Sequence, residues 1–211
     1  MKGRFFNMKH RNWINLLEIS ILCAFIVSAA FSMTAFARSC EVINESVLRM
    51  HVIANSDSEE DQALKLKVRD AVLQAGADVF DGSVTAQEAE RKIRPRIDDL
   101  TRVAQETIVA EGFDYPVQVS VSQEYFNTRT YDGDVTLPAG IYHAVKVVIG
   151  SGEGQNWWCV MFPPLCLPAA ENRADLDAVL SGDEVKVVES SPEYEPRFKI
   201  VEWFNQLKER F

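Results

Sequence analysis

One stretch near the amino terminus constrains everything that follows it. From Ile19 to Ala37 the chain is almost wholly apolar, interrupted only by Ser20, Ser28, Ser32 and Thr34, and it is about as long as a bilayer is thick. Lys2, Arg4, Lys9 and Arg11 precede it, with Glu18 the lone acid. It closes on Ala35-Phe36-Ala37, the small-x-small pattern that a signal peptidase accepts. Residues 1–37 therefore read as a signal peptide or a membrane anchor. In both cases the basic flank stays inside and the rest of the chain is expected to cross.

The charge distribution agrees. The full chain carries a net charge of −9, although residues 1–37 are net basic, so the body is more acidic than the whole. An acidic body repels phosphate backbones and anionic headgroups. No nucleic-acid partner is expected, and membrane contact is expected only through the amino-terminal segment.

Residues 38–168 read as one α+β domain. Ser46–Ala54 is rich in β-branched residues and reads as a strand. It runs into Asn55-Ser56-Asp57-Ser58, where Ser56 with Glu59 or Ser58 with Asp61 can cap a helix. Leu64, Val68, Val72 and Val79 fall on one face of that helix. Thr85 with Glu88 forms a second capping pair. Ala89, Ile93, Ile97, Leu100, Ala104 and Ile108 recur at helical spacing as far as Gly112, with Pro95 marking a kink or a restart.

After Gly112 the period falls to two. Tyr115–Val121 alternates as a half-buried strand. Thr128–Leu137 holds a turn at Asp132-Gly133-Asp134, Ile141–Ile149 is strongly β-branched, Gly150–Gly154 reads as a hairpin connection, and Asn156–Phe162 is a further strand. The expected arrangement is a mixed or antiparallel sheet covered by two long helices. Residues 169–196 read as an acidic linker with a short helix near Ala174–Leu180. Residues 197–211 read as an amphipathic helix striped by Phe198, Val201, Phe204, Leu207 and Phe211.

Candidate chemistry is sparse. Cys159 with His51 or His143 has the composition of a nucleophile and its base, the pattern of an exported hydrolase. Against it, Cys159 and Cys166 lie close enough in sequence to close a disulfide in an oxidising compartment. Cys40 lies just past the proposed cut, where a lipid could be attached, but Ala37-Arg38-Ser39 is a poor lipid-attachment sequence. No Cys-x-x-Cys or His-x-x-x-His occurs to hold zinc. Gly150–Gly154 lacks the spacing of a phosphate loop, and no cofactor is expected. Asp57 is a possible acid, already accounted for by capping. Trp157 and Trp158 are consecutive on a strand and must point opposite ways, so one is free to line a partner surface.

Two long stretches carry a resemblance. The first is Leu48-Arg49-Met50-His51-Val52-Ile53-Ala54-Asn55-Ser56-Asp57-Ser58 with the helix that follows, and the second is Leu137-Pro138-Ala139-Gly140 followed by Gly154-Gln155-Asn156-Trp157-Trp158-Cys159-Val160-Met161-Phe162-Pro163-Pro164-Leu165-Cys166. Both resemble the stage II sporulation protein R family. That resemblance implies a protein made in the forespore and exported toward the space between the forespore and mother-cell membranes. There it would trigger a membrane-embedded aspartic protease of the mother cell to process the sigma-E precursor. It implies a signal, not an enzyme. Asn55, Ser56, Asp57, Asn156, Trp157 and Trp158 are the candidate partner-binding residues.

Overall fold

The computed structural model describes residues 2–79, 85–131, 135–163, 179–180, 182–189 and 197–203. The chain divides into two compact units, Met1–Arg38 and Ser39–Phe211. The first is helical. It opens α1, Lys2–Ser46, whose segment Asn15–Ser46 is long and apolar enough to cross a membrane. The small-x-small site thus sits inside a continuous helix, and Ser46, read as the start of a strand, is its last residue.

The second unit is built on a four-stranded sheet. Its strands are β1 (Leu48–Ile53), β2 (Val117–Phe126), β5 (Gly140–Ile149) and β6 (Asn156–Phe162), in the order β2-β5-β1-β6. β1 runs parallel to β5 and antiparallel to β6, and β2 is antiparallel to β5, so the sheet is mixed. β3 (Arg129–Tyr131) and β4 (Val135–Leu137) pair with each other in a separate two-stranded ribbon.

Helices α2 (Glu59–Gly76), α3 (Ala86–Ile93) and α4 (Ile97–Ala110) supply the apolar cover of one sheet face. Ser58 caps α2 by accepting from the Asp61 N–H, and Thr85 caps α3 by accepting from the Glu88 N–H. Pro95 lies in a 3-10 turn, Arg94–Arg96, which divides the second helical stretch into α3 and α4. The proline lacks the N–H a continuous helix would need there. Leu64, Val68 and Val72 of α2 and Leu100, Ala104 and Ile108 of α4 meet Met50 and Val52 of β1 and Val145 and Val147 of β5 in one core. Each such buried Val, Leu, Ile or Met side chain contributes about 1.5–3 kcal/mol.

Two expectations need correction. Gly150–Gly154 is not a hairpin connection, because β5 and β6 are not neighbours. β1 lies between them, and the loop passes over its carboxy-terminal end. β2 runs on to Phe126 rather than stopping near Val121, its outer half pairing with Gly140–Ala144. The short helix expected near Ala174–Leu180 falls largely outside the described residues; a helix α5, Gly182–Val188, follows it, with Val187 and Val188 buried and Glu189 bridged to Val135. These apolar residues anchor a stretch whose acidic composition suggested a linker. Residues 174–178 lie outside the described residues, as do Cys166, the Asp132–Asp134 turn and 204–211. Residues 197–203 are helical, with Phe198 buried.

Candidate functional site

The second face of the sheet differs from the first. β1 alternates, so Arg49 and His51 point away from the helices that Leu48, Met50 and Val52 face. The neighbouring strands bring aromatic and polar side chains beside them. His51 stacks on Trp158 with ring centroids 3.9 Å apart, and Phe126 meets the edge of Trp158 at 4.8 Å. Arg49 lies over Phe126 at 3.9 Å and over Tyr142 at 4.7 Å, and donates from Nη2 to the Tyr131 hydroxyl.

Charge is concentrated at one end of this face. His51 Nε2 lies 2.6 Å from Asn156 Oδ1, a contact that requires the proton on Nε2. Its Nδ1 is 3.6 Å from Glu124 Oε2. Glu124 in turn accepts from Lys146 Nζ at 3.1 Å and from the Ser122 hydroxyl at 2.9 Å. Burial holds His51 below the ordinary histidine value, opposed by Asn156 and by the Glu124 charge. For Glu124 burial acts to raise the value, but the bonds from Ser122 and Lys146 outweigh it and the carboxyl is held low. The cluster is thus a neutral imidazole beside a carboxylate satisfied by a lysine.

The predicted partner-binding residues separate into two groups. Asn156 and Trp158 belong to the second face. Trp157 points the other way, with Arg69 of α2 over its ring at 4.4 Å, and remains 38 % exposed. Asn55, Ser56 and Asp57 form the join between β1, α2 and the glycine loop. Asn55 Oδ1 accepts from the Ser151 N–H at 2.9 Å, and Asp57 Oδ1 accepts from the Gln155 N–H at 2.7 Å. Asn55 Nδ2 and the Ser56 hydroxyl both donate to Asp61 Oδ2, at 2.9 and 2.6 Å. Burial acts to raise the Asp61 value, but the bonds from Ser56, Asn55 and Tyr115 outweigh it and hold the carboxyl low.

Two glycines make this join possible. Gly150 has φ +58, and a Cβ at Gly154 would lie 2.2 Å from the Ser56 carbonyl oxygen. The two stretches that carry the family resemblance therefore meet here, through the bond from the Gln155 N–H to Asp57.

The Cys159 hydrolase reading fails on geometry. Cys159 is buried in the helix-side core opposite Met50, whereas His51 pairs with Trp158 and faces the other way. His143 is held by Glu90, Nδ1 to Oε2 2.8 Å, and lies two strands from Cys159. Among the described residues Cys23 and Cys40 are free thiols. Cys40 is buried at 3 % exposure, leaving no room for a lipid on its sulfur. Among the described residues no group of three or more His, Cys, Asp or Glu is placed to hold a metal.

Arg49, Glu124, Lys146, Phe126 and Tyr131 were not singled out from the sequence. The signal lay in β1 itself, where Arg49 and His51 alternate with apolar residues in a strand read as simply apolar.

The match to the family model for stage II sporulation protein R spans residues 44–172. A curated relative, stage II sporulation protein R of Bacillus subtilis (strain 168), is 33 % identical over 187 residues, covering 79 % of this chain and 83 % of the relative. No solved structure matches. The matched region takes in β1, the Asn55–Asp57 join, the glycine loop and β6, together with the whole four-stranded sheet. The chain belongs to the stage II sporulation protein R family.

Proposed function

We propose that this protein is an exported, non-enzymatic trigger of sporulation. It acts from the space between the forespore and mother-cell membranes on a membrane-embedded aspartic protease of the mother cell, which then processes the sigma-E precursor. Family membership across residues 44–172 is the observation that carries this reading. The apolar helix Asn15–Ser46 is compatible with export or anchoring.

A trigger must bind the active form of its target more tightly than the inactive form, because a ligand shifts an equilibrium only by that difference. Asn156, Trp157 and Trp158, at the start of β6, are the contact residues in this reading. Asn55, Ser56 and Asp57 hold the adjoining loop in place. A disulfide between Cys159 and Cys166 completes it, fixing the segment after β6.

The test is an immunoblot of the sigma-E precursor in sporulating cells lacking this gene. Unprocessed precursor, restored to processing by expression of the gene in the forespore, is the expected result. Normal processing in its absence would overturn the proposal.

A further inference from the structure

Arg49 is among the largest fully buried side chains of the described residues, at 0 % exposure. Its surroundings are the rings of Phe126, Tyr142 and Tyr131, at 3.9, 4.7 and 5.7 Å. Rings give a cation a favourable quadrupole but leave its N–H groups without acceptors. Arg49 Nε and Nη1 are buried without a hydrogen-bond partner, and only Nη2 is satisfied, by the Tyr131 hydroxyl. Among the described residues no carboxylate pairs with this guanidinium. Buried arginines are ordinarily paired with an acid or fully hydrogen-bonded, and an isolated one is costly to retain.

The position of the one satisfied nitrogen matters. A guanidinium binds a carboxylate through two parallel N–H bonds, either from Nη1 with Nη2 or from Nε with Nη2. Nη2 contributes one N–H to each fork, and the Tyr131 hydroxyl engages one of the two. Arg129, on the same short strand as Tyr131, lies over Trp158 at 5.7 Å and is exposed. Its charge is felt at Arg49. Two guanidinium groups thus converge on the Phe126–Trp158 pair, with no acid between them among the described residues. Tyr131 and Arg129 sit on the β3–β4 ribbon, which shares no ladder with the four-stranded sheet. Withdrawing the Tyr131 side chain breaks its bond to Arg49 but no ladder bond of the main sheet.

We propose that Arg49 is the floor of a carboxylate-binding site, with Tyr131 as its resident cover and Arg129 at its mouth. The occupant is a carboxylate, supplied by a polypeptide terminus or acidic side chain or by a small free acid. It displaces the Tyr131 hydroxyl from Nη2 and takes one of the two forks. The assignment does not depend on the identity of any partner in sporulation.

The test uses the full chain in detergent, with thermal unfolding measured in sodium acetate and in sodium chloride of equal ionic strength. Acetate is expected to raise the wild-type midpoint by about 2–4 °C over chloride, a binding-linked shift ordinary for a chain of this size. Tyr131→Phe frees Nη2 and should show a larger rise. Arg49→Met should show none, and should unfold at a higher temperature than wild type in chloride, because an unpaired buried charge has been replaced by an apolar chain of similar length. An acetate response in Arg49→Met equal to wild type, or no response in any of the three, overturns the proposal. Should Arg49→Met fail to fold, a Tyr131→Phe response no larger than wild type does so alone. A tetra-alanine peptide with a free carboxylate, compared with its amide, distinguishes the sources. Greater stabilisation by the acid than by acetate, with none from the amide, assigns the site to polypeptide carboxylates, and equal effects of peptide acid and acetate assign it to small acids.

Discussion

The two faces of the sheet are made by the same four strands and obey different rules. On the helix side, Met50, Val52, Val145 and Val147 meet Leu64, Val68, Leu100 and Ile108 in an ordinary aliphatic core. On the other side, the alternate residues Arg49 and His51 lie among Phe126, Trp158 and Tyr142, with unsatisfied nitrogens on both. The first face has the composition of a stabilising core. The second carries buried polarity that apolar residues of similar volume would match or better for stability. This contrast teaches where to look for function in a strand buried on both sides: in the residues that make its burial harder.

The contrast predicts a graded series of effects. Truncation on the helix side should cost most. Ile108→Ala removes a fully buried side chain and should lower unfolding free energy by about 2–5 kcal/mol in urea titration. A cost below that of Gly154→Ala would show that the helix side is not the main source of stability. Gly154→Ala tests the join between β1 and the glycine loop. Its methyl group meets the Ser56 carbonyl, and the backbone must shift at a cost of about 1–3 kcal/mol. Wild-type stability in that variant would mean that the loop is not tied down as described.

The second face should respond to pH where the first does not. The folded His51 value is depressed, so the unfolded chain takes up its proton first. Its contribution is fully present above the ordinary histidine value of about 6.5 and is lost as pH falls from there toward the folded value. His51→Gln should flatten that part of the stability profile. An unchanged slope would place the titration elsewhere. Asp61 acts lower, its stabilisation being lost as pH falls below the ordinary aspartate value of about 3.9. The smallest effect belongs to Trp157, which is partly exposed over Arg69. Trp157→Ala should change stability by about 0.5–1 kcal/mol. If that variant is folded and exported yet leaves the sigma-E precursor unprocessed, Trp157 is a contact. If Trp158→Ala alone has that effect, the contact lies on the second face.

Much of the architecture was legible from local signals. The capping roles of Ser58 and Thr85, the break at Pro95 and the period change after Gly112 each depend on residues close in sequence. The strand order was not legible, because nothing local in β5 or β6 records that β1 lies between them. For the same reason the glycine loop read as a hairpin. Alternation showed that Trp157 and Trp158 point opposite ways, but not which partner each would find, Arg69 or His51. The cluster of His51, Glu124 and Asn156 draws on three strands, and His51 and Asn156 stand 105 positions apart. No window along the chain contains it.

The threading of β1 also bears on how the molecule comes to exist. β1 is the first strand made, yet it is central, and both its neighbours, β5 and β6, lie about a hundred residues downstream. None of its ladder bonds can form until β5 has been made, and those on its other side wait for β6 to reach Phe162. Such non-local closure is slow, since the loop entropy is lost before the contacts form. In this fold, that delay lasts until β5 and β6 have both been made.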